Sequence, residues 1–260
     1  CAQEGLTNVF DFFIRYHETR PTVDLFVAQD RAETLFQLQS EGQYALATQA
    51  KSFAEADSAT NKFAGSTVLD VANRMASEYN AFALPELAIV DEHVQLGNTA
   101  YFRDNQLIGY FNREQSRGYV ATVYTIRNGV MVLDIPDIGT ISLKLENTSS
   151  KVTADLIDDV PHFQIDVSCK AYISEINQDL RKKLSLDVYE KFETALNEKL
   201  KLQIESAIEQ AVIRDNTDIF NFDVALQQQQ TEYWKVHRDS WAQELTKIKY
   251  TVNVTSSVDR

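Results

Sequence analysis

Three features of these 260 residues predict an α+β fold, with antiparallel or mixed β-sheets and long helices packed on one face. Residues 162–174 alternate strictly, Phe163, Ile165, Val167, Cys169, Ala171 and Ile173 against His162, Gln164, Asp166, Ser168, Lys170 and Tyr172. A period of two demands a strand with one face in a core and the other in water. Residues 186–214 carry an apolar stripe at helical spacing: Tyr189, Phe192, Leu196, Leu200, Ile204, Ala207, Ile208 and Ala211. At 1.5 Å per residue this is a helix roughly 40 Å long. Several strand patterns precede that helix and one follows it, so strands and helices segregate rather than alternate.

From the N-terminus, residues 6–17 place Val9, Phe10, Phe13 and Ile14 at helix spacing, and Pro21 stops the pattern. Residues 22–28 read as a short strand, and 31–38 as a helix that Asp30 is placed to cap. Residues 39–66, rich in Ala, Ser, Gln and Glu, carry no decisive period. Thr67 with Asp70 three residues later is a capping-box signature. The helix it opens runs to about Tyr79, with Val68, Val71, Ala72 and Met75 on one face. Pro85 ends any helix, and 86–90 reads as extended.

Residues 94–111 form two extended runs around Asp104-Asn105, a dipeptide that favours a tight turn, so a β-hairpin is expected. Residues 112–123 read as a short helix opened by Asn112 and Glu114. Strands follow at 129–135, 139–147, 150–158 and 162–174. Ser185 stands where it would cap the long helix. A second helix in one or two pieces covers 223–245. The last strand, about 247–258, points Ile248, Tyr250, Val252, Val254 and Val258 inward. No internal repeat and no long linker is present. We expect a small α/β domain at 1–92 and, at 93–260, an antiparallel sheet with long helices.

A formal net charge of −13 argues against nucleic acid as a partner, because that binding needs clustered Lys and Arg to release counterions. It argues equally against adsorption of the whole body onto an anionic membrane. No apolar run approaches the ~20 residues of a membrane-spanning helix. The two cysteines, Cys1 and Cys169, make neither a disulfide framework nor a metal knuckle.

No catalytic residue and no metal ligand is assigned, no cofactor is expected, and the binding residues are left unknown. The four histidines, His17, His93, His162 and His237, do not pair at metal-ligand spacing. Asp91-Glu92-His93 reads as a solvated turn, and His162 falls on the wet face of its strand. Cys169 lies on the apolar face, where a thiol is inert. Only eight glycines are present, with no GxGxxG, P-loop or GxSxG among them. The close carboxylates of residues 134–137 and 157–160 sit in turn-like segments. The densest cluster is Tyr233, Trp234, His237, Arg238, Asp239 and Trp241. Trp234 and Trp241 are seven apart, on one helical face, and Tyr233 and His237 are four apart. Such spacing reads first as a lock between a helix end and a sheet, and second as a ligand-stacking surface.

Several stretches, in order, resemble the Ger(x)C family of spore-germination lipoproteins, the C subunits of nutrient germinant receptors. Residues 11–38 are similar to its Arg-x-x-x-x-Arg segment, here Arg15 to Arg20. "GNTAYFRDNQLIGYFNREQSRGY" (97–119) resembles its Gly-x-Ala-x-Phe hairpin followed by Leu-x-Gly and Glu-x-x-x-Gly. The strands of 129–174, the long helix and "YWKVHRDSW" (233–241) resemble its C-terminal region. The family begins with a lipid-bearing Cys and a further N-terminal domain, whereas "CAQEGL" here runs at once into what matches the second segment. We therefore expect the family's N-terminal domain to be lacking. No anchor is assigned in this chain, and Cys1 is read as a boundary rather than the lipidated residue.

The resemblance implies a non-enzymatic accessory subunit, lipid-anchored at the spore inner membrane with its body facing outward. Its implied partners are a membrane-embedded A subunit and a transporter-like B subunit. It brings no catalytic or ligand residues. Beside this reading stand a nutrient-binding module that uses the Trp pair and, behind both, a hydrolase on an unrecognised scaffold.

Overall fold

In the computed structural model, residues 2, 5–15, 20–37, 48, 50–54, 66–176 and 184–259 are described. The N-terminal part comprises α1 (Thr7–Arg15), β1 (Val27–Ala28), α2 (Ala32–Gln37), α3 (Val68–Met75), β2 (Ala81–Val90), β3 (His93–Arg103) and β4 (Gln106–Phe111). The capping box at Thr67 forms as expected. Asp70 accepts the Thr67 backbone N–H at 2.9 Å, and Thr67 Oγ1 accepts that of Asp70 at 3.3 Å. The expected strand at 22–28 is reduced to Val27–Ala28, which pairs in parallel with Glu86 and Leu87, plus a single bridge from Asp24 to Thr67. Of residues 39–66, positions 39–47, 49 and 55–65 lie outside the described residues.

The first sheet has the order β1-β2-β3-β4. Ala81 through Ala88 are buried without a break, because both faces of this sheet are covered. On one face Phe82, Leu84, Ala100 and Phe102 pack with Phe10, Val27 and Val71, and Phe82 stacks on Phe102 at 5.0 Å. On the other, Ala81, Ala83, Tyr101 and Phe111 join the main core. A strand covered on both sides shows no alternation. For that reason the sequence revealed only its second half, and Pro85 looked like a terminator. Pro85 instead sits inside β2, at a register shift between Pro85 and Leu87, where a missing N–H is tolerated.

The hairpin turn at Asp104-Asn105 takes two successive positive φ angles, 51° and 65°, the twist that suits a two-residue hairpin. Asp91-Glu92 (49°, 61°) and Asp158-Asp159 (52°, 59°) turn the chain in the same way. The acidic pairs in these turns are thus backbone devices.

The C-terminal part runs α4 (Arg113–Val123), β5 (Gly129–Ile135), β6 (Gly139–Ile157), β7 (Val160–Glu175), α5 (Leu186–Ile208), a π-helical turn (Glu209–Arg214), α6 (Phe222–Gln229), α7 (Thr231–His237), a 3-10 turn (Arg238–Ser240), α8 (Trp241–Glu244) and β8 (Lys249–Asp259). Asn112 caps α4, with Gln115 completing a capping box. Ser185 stands at the start of α5 but makes no side-chain cap bond.

Three expectations are corrected. The strands at 139–147 and 150–158 are one strand, β6, with register shifts at Ser142/Leu143 and Leu145/Asn147. The polar run of residues 147–150 is the sequel to that bulge, not a break. Thr148 is buried there because its Oγ1 accepts the Ile126 N–H at 2.7 Å. The sheet is mixed rather than antiparallel, for β8 lies parallel to β7. The chain leaves β7, runs along α5, returns through α6–α8 and re-enters beside β7, a crossover long enough for parallel pairing. Finally, the second helix is three pieces, α6, α7 and α8, broken at Gln230 (φ −132°) and by the 3-10 turn.

The second sheet has the order β5-β6-β7-β8. Its inner face, with Phe163, Ile165, Val167, Cys169 and Ala171, shares one core with Phe192, Leu196, Leu200 and Ile204 of α5. Gln164, Ser168 and Lys170 lie exposed on the outer face. The alternation read from the sequence is therefore the core boundary itself. Gly118 allows α4 to approach α5 closely, because a Cβ there would clash with the Gln203 backbone.

Candidate functional site

The two sheets meet where α5 ends. Its last turn widens, the Asp215 N–H reaching back five residues to the Gln210 carbonyl at 3.0 Å. Helix C-termini leave carbonyls without partners. Here the first sheet supplies the donors: Arg103 Nη1 donates to the Asp215 and Asn216 carbonyls, each at 2.8 Å. Tyr79 donates its hydroxyl to the Asn216 carbonyl at 2.8 Å. Tyr101 makes a short hydrogen bond to the Asp215 carboxylate, and burial pushes its phenol well above the ordinary value. Gly109, lacking a Cβ, leaves the room that this phenol occupies. Gln210 ties the same phenol to the π-helical turn and to Gln115 of α4.

Behind this clasp lies Asp218, fully buried. Its carboxylate accepts backbone N–H groups from Phe220 (3.2 Å), Phe222 (3.1 Å) and Asp223 (2.7 Å), and the indole N–H of Trp241 at 3.1 Å. Burial drives its pKa up, while these donors pull it down. Asp223, beside it, is pushed to about 7 by burial first and by the Asp218 charge second. Its Oδ1 is buried without a hydrogen-bond partner.

The aromatic cluster is tied to this hub. Trp234 and Trp241 are 3 % and 1 % exposed and pack edge-to-face at 5.6 Å. Trp234 donates its indole N–H to Glu78 at 2.8 Å, and Arg238 donates to the other Glu78 oxygen at 3.0 Å. His237 stacks on Tyr233 with ring centroids 4.0 Å apart. The indoles are interior groups that lock α7 and α8 onto the sheet and onto the Ser77–Tyr79 segment. They do not share one continuous helix, since the 3-10 turn intervenes, yet the fold still brings them together.

Next to the hub opens a cleft of about 400 Å³. Val71, Phe82, Val123 and Ile219 supply apolar wall; Ser66, Asn73, Arg74, Tyr119, Tyr124 and Asn221 supply polar groups. Asp70 is also on the wall, but its carboxylate is engaged with Thr67.

The other sequence-level candidates are dispersed. His93 lies in an exposed turn, with its Nδ1 2.6 Å from the Asp91 carbonyl oxygen, and His162 faces Thr251 on the outer sheet face at 3.1 Å. Burial pushes the Cys169 thiol up to about 12. Asp134 pairs with Thr140, and Asp137 and Asp158 hold turns. His17 and Cys1 lie outside the described residues. Among the described residues no group of three or more His, Cys, Asp or Glu converges as a metal site, and no helix is long and apolar enough to cross a membrane. Sequence reasoning passed over Asp215, Asp218 and Asp223. The density of Asp and Asn in "RDNTDIFNFD" (214–223), interleaved with Ile and Phe, was the available signal for a buried polar turn.

Two sheets clasped through the end of α5 define a two-part α+β protein, and its fold is that of a known structure. It superposes on a crystal structure of the GerBC protein with a TM-score of 0.75, over 100% of this chain and 76% of that one, at 14% identity. Residues 97–260 match the family model "Spore germination B3/GerAC like, C-terminal", and residues 1–89 match "Spore germination protein N-terminal domain". The chain therefore belongs to the GerAC-like spore germination family, that of germinant-receptor C subunits. No curated protein matches it. The N-terminal match overturns the expectation that this domain is lacking. A helix–strand–helix unit is held by burial, which many residue choices satisfy, so the Arg15-to-Arg20 spacing alone does not say which unit it marks.

Proposed function

We propose that the chain acts as a non-enzymatic accessory subunit of a spore nutrient germinant receptor, working through protein–protein contact. Its partners in this reading are the membrane-embedded A and B subunits. The body faces outward at the spore inner membrane, held there by a lipid anchor that we assign to no residue of this chain. Family membership along both matched segments carries the proposal. The fate of the perturbed ionisable groups supports it: Tyr101 ties the first sheet to the end of α5, and Asp218, with Asp223 buried beside it, ties the loop after α5 to Trp241, so none of them lines an open reaction centre. We further propose that the chain divides at residue 92 into domains 1–92 and 93–260. The Asp91-Glu92 turn lies between the two matched segments, although β2 and β3 remain paired across it.

The test is affinity purification of the tagged chain from detergent-solubilised spore inner membranes. Retention of both membrane subunits is expected. Their absence under conditions that keep the receptor intact counts against the proposal.

A second reading, a nutrient-binding module, is favoured by the 400 Å³ cleft beside the clasp. In that case titrating the isolated chain with nutrients changes its Trp fluorescence, since Trp241 contacts the adjoining hub. Under the contact reading it does not.

A further inference from the structure

Resting on the binding-module reading of the same cleft, we propose that the cleft beside the clasp is a binding site for a small organic carboxylate, with Arg74 as its anchoring cation. Arg74 rises from the last turn of α3 and is half-buried. It lines the cleft together with Tyr119, Tyr124 and Asn221, and its charge favours the anionic forms of the nearby Asp218 and Asp223. Yet among the described residues it has no ion pair within 4 Å and no side-chain hydrogen bond. A guanidinium presents five N–H donors in a planar fork that matches a carboxylate. Leaving them unpaired in a half-buried place is costly, and an anion in the cleft would complete them.

The remaining wall fits the same ligand. Asp70, the carboxylate on the cleft wall, is committed to the capping box and does not compete for Arg74. Asn221, also on the wall, holds a left-handed backbone (φ 65°) and carries a side-chain amide, a group able to donate to an anion. The hydroxyls of Tyr119, Tyr124 and Ser66 add further polar groups. Opposite them, Val71, Phe82, Val123 and Ile219 give an apolar wall, which suits an organic acid better than a bare inorganic ion. The volume, about 400 Å³, lies within the range of small-molecule sites. The cleft is bounded by α3 from one domain and by residues 219–221, next to Asp218, from the other. A ligand there would touch residues from both parts of the chain.

A purely structural role for Arg74 is the rival account, since a cation in the last turn of a helix complements the helix dipole. Binding experiments on the isolated chain separate the two and involve no other subunit, so their outcome is independent of receptor assembly. Benzoate, acetate and inorganic phosphate are titrated by calorimetry and thermal shift, and crystals are soaked with 4-bromobenzoate. We expect saturable 1:1 binding of benzoate, a Tm that rises with its concentration, and bromine density in the cleft. Arg74→Gln should abolish the binding, and Arg74→Lys, which keeps the charge but not the fork, should weaken it about tenfold. No saturable binding by wild type, density elsewhere, or unaltered benzoate affinity in folded Arg74→Gln would each overturn the proposal. Phosphate bound in place of benzoate would overturn the organic-carboxylate assignment. If Arg74→Gln does not fold, the wild-type titration, the soak and Arg74→Lys still decide.

Discussion

Trp241 donates its indole N–H to the Asp218 carboxylate at 3.1 Å, and both residues are about 1 % exposed. The ring at the same time packs on Phe163 of the second sheet, 6.3 Å between centroids. One side chain thus joins α8, the loop after α5 and the sheet. Trp241→Phe removes the charge-assisted bond and part of the ring, and should cost about 2–3 kcal/mol. Asp218→Ala leaves four buried donors unpaired, and should cost about 4 kcal/mol or more. Arg238→Ala, whose pair with Glu78 is half exposed, should cost no more than about 1 kcal/mol. Urea denaturation with an unchanged m value is the measurement, and equal costs for all three would contradict the hub.

Asp223 makes the Asp218 hub sensitive to pH. Its folded value, about 7, is above the ordinary 3.8 because burial and the Asp218 charge disfavour its anion. Asp218 is raised in the same direction, and Arg74 opposes both shifts. The folded chain therefore keeps protons that the unfolded chain releases. The stabilisation from this group is complete below about pH 4 and is lost as pH rises through about 7, with a slope of at most about 1.4 kcal/mol per pH unit. Asp223→Asn removes the titrating group. Its stability relative to wild type should climb between about pH 4 and about pH 7. A difference that stays flat across that window would show that Asp223 is not held protonated.

Helix α4 reaches α5 only because residue 118 has no side chain. Gly118→Ala sets a Cβ against the Gln203 backbone, which cannot rotate away, so the helices must separate. A loss of about 3 kcal/mol is expected, of the size seen for overpacked cores. At Gly139 a Cβ meets nothing within 4 Å, but φ is +100°. Gly139→Ala should therefore cost only backbone strain, about 1–2 kcal/mol. Thermal unfolding of the two variants side by side tests this; a Gly139 variant less stable than the Gly118 variant would invert the argument.

Legibility in the sequence followed exposure. β7 was readable because one face is wet, and the capping box at Thr67 because a cap is a local bond between residues three apart; at Asn112 only the helix start was read, and its partner Gln115 was not. β2 was half hidden because both its faces are covered. The continuous β6 was split in two because Thr148 finds its partner in Ile126, twenty-two residues away. The aromatic cluster was identified as a lock, yet its counterparts, Glu78 and Asp218, were not, because nothing near them in the chain calls for an indole.

By itself the sequence determined the α+β class, the helix and hairpin positions and the resemblance to a germination family, since each rests on periodicity, caps or turns that neighbouring residues dictate. Only the tertiary structure decided that β8 runs parallel to β7, that Tyr101 and Arg103 of the first sheet fasten the end of α5, and that a cleft opens beside Arg74. Those depend on groups 100 or so residues apart meeting in space, through hydrogen bonds and desolvation that no local pattern encodes.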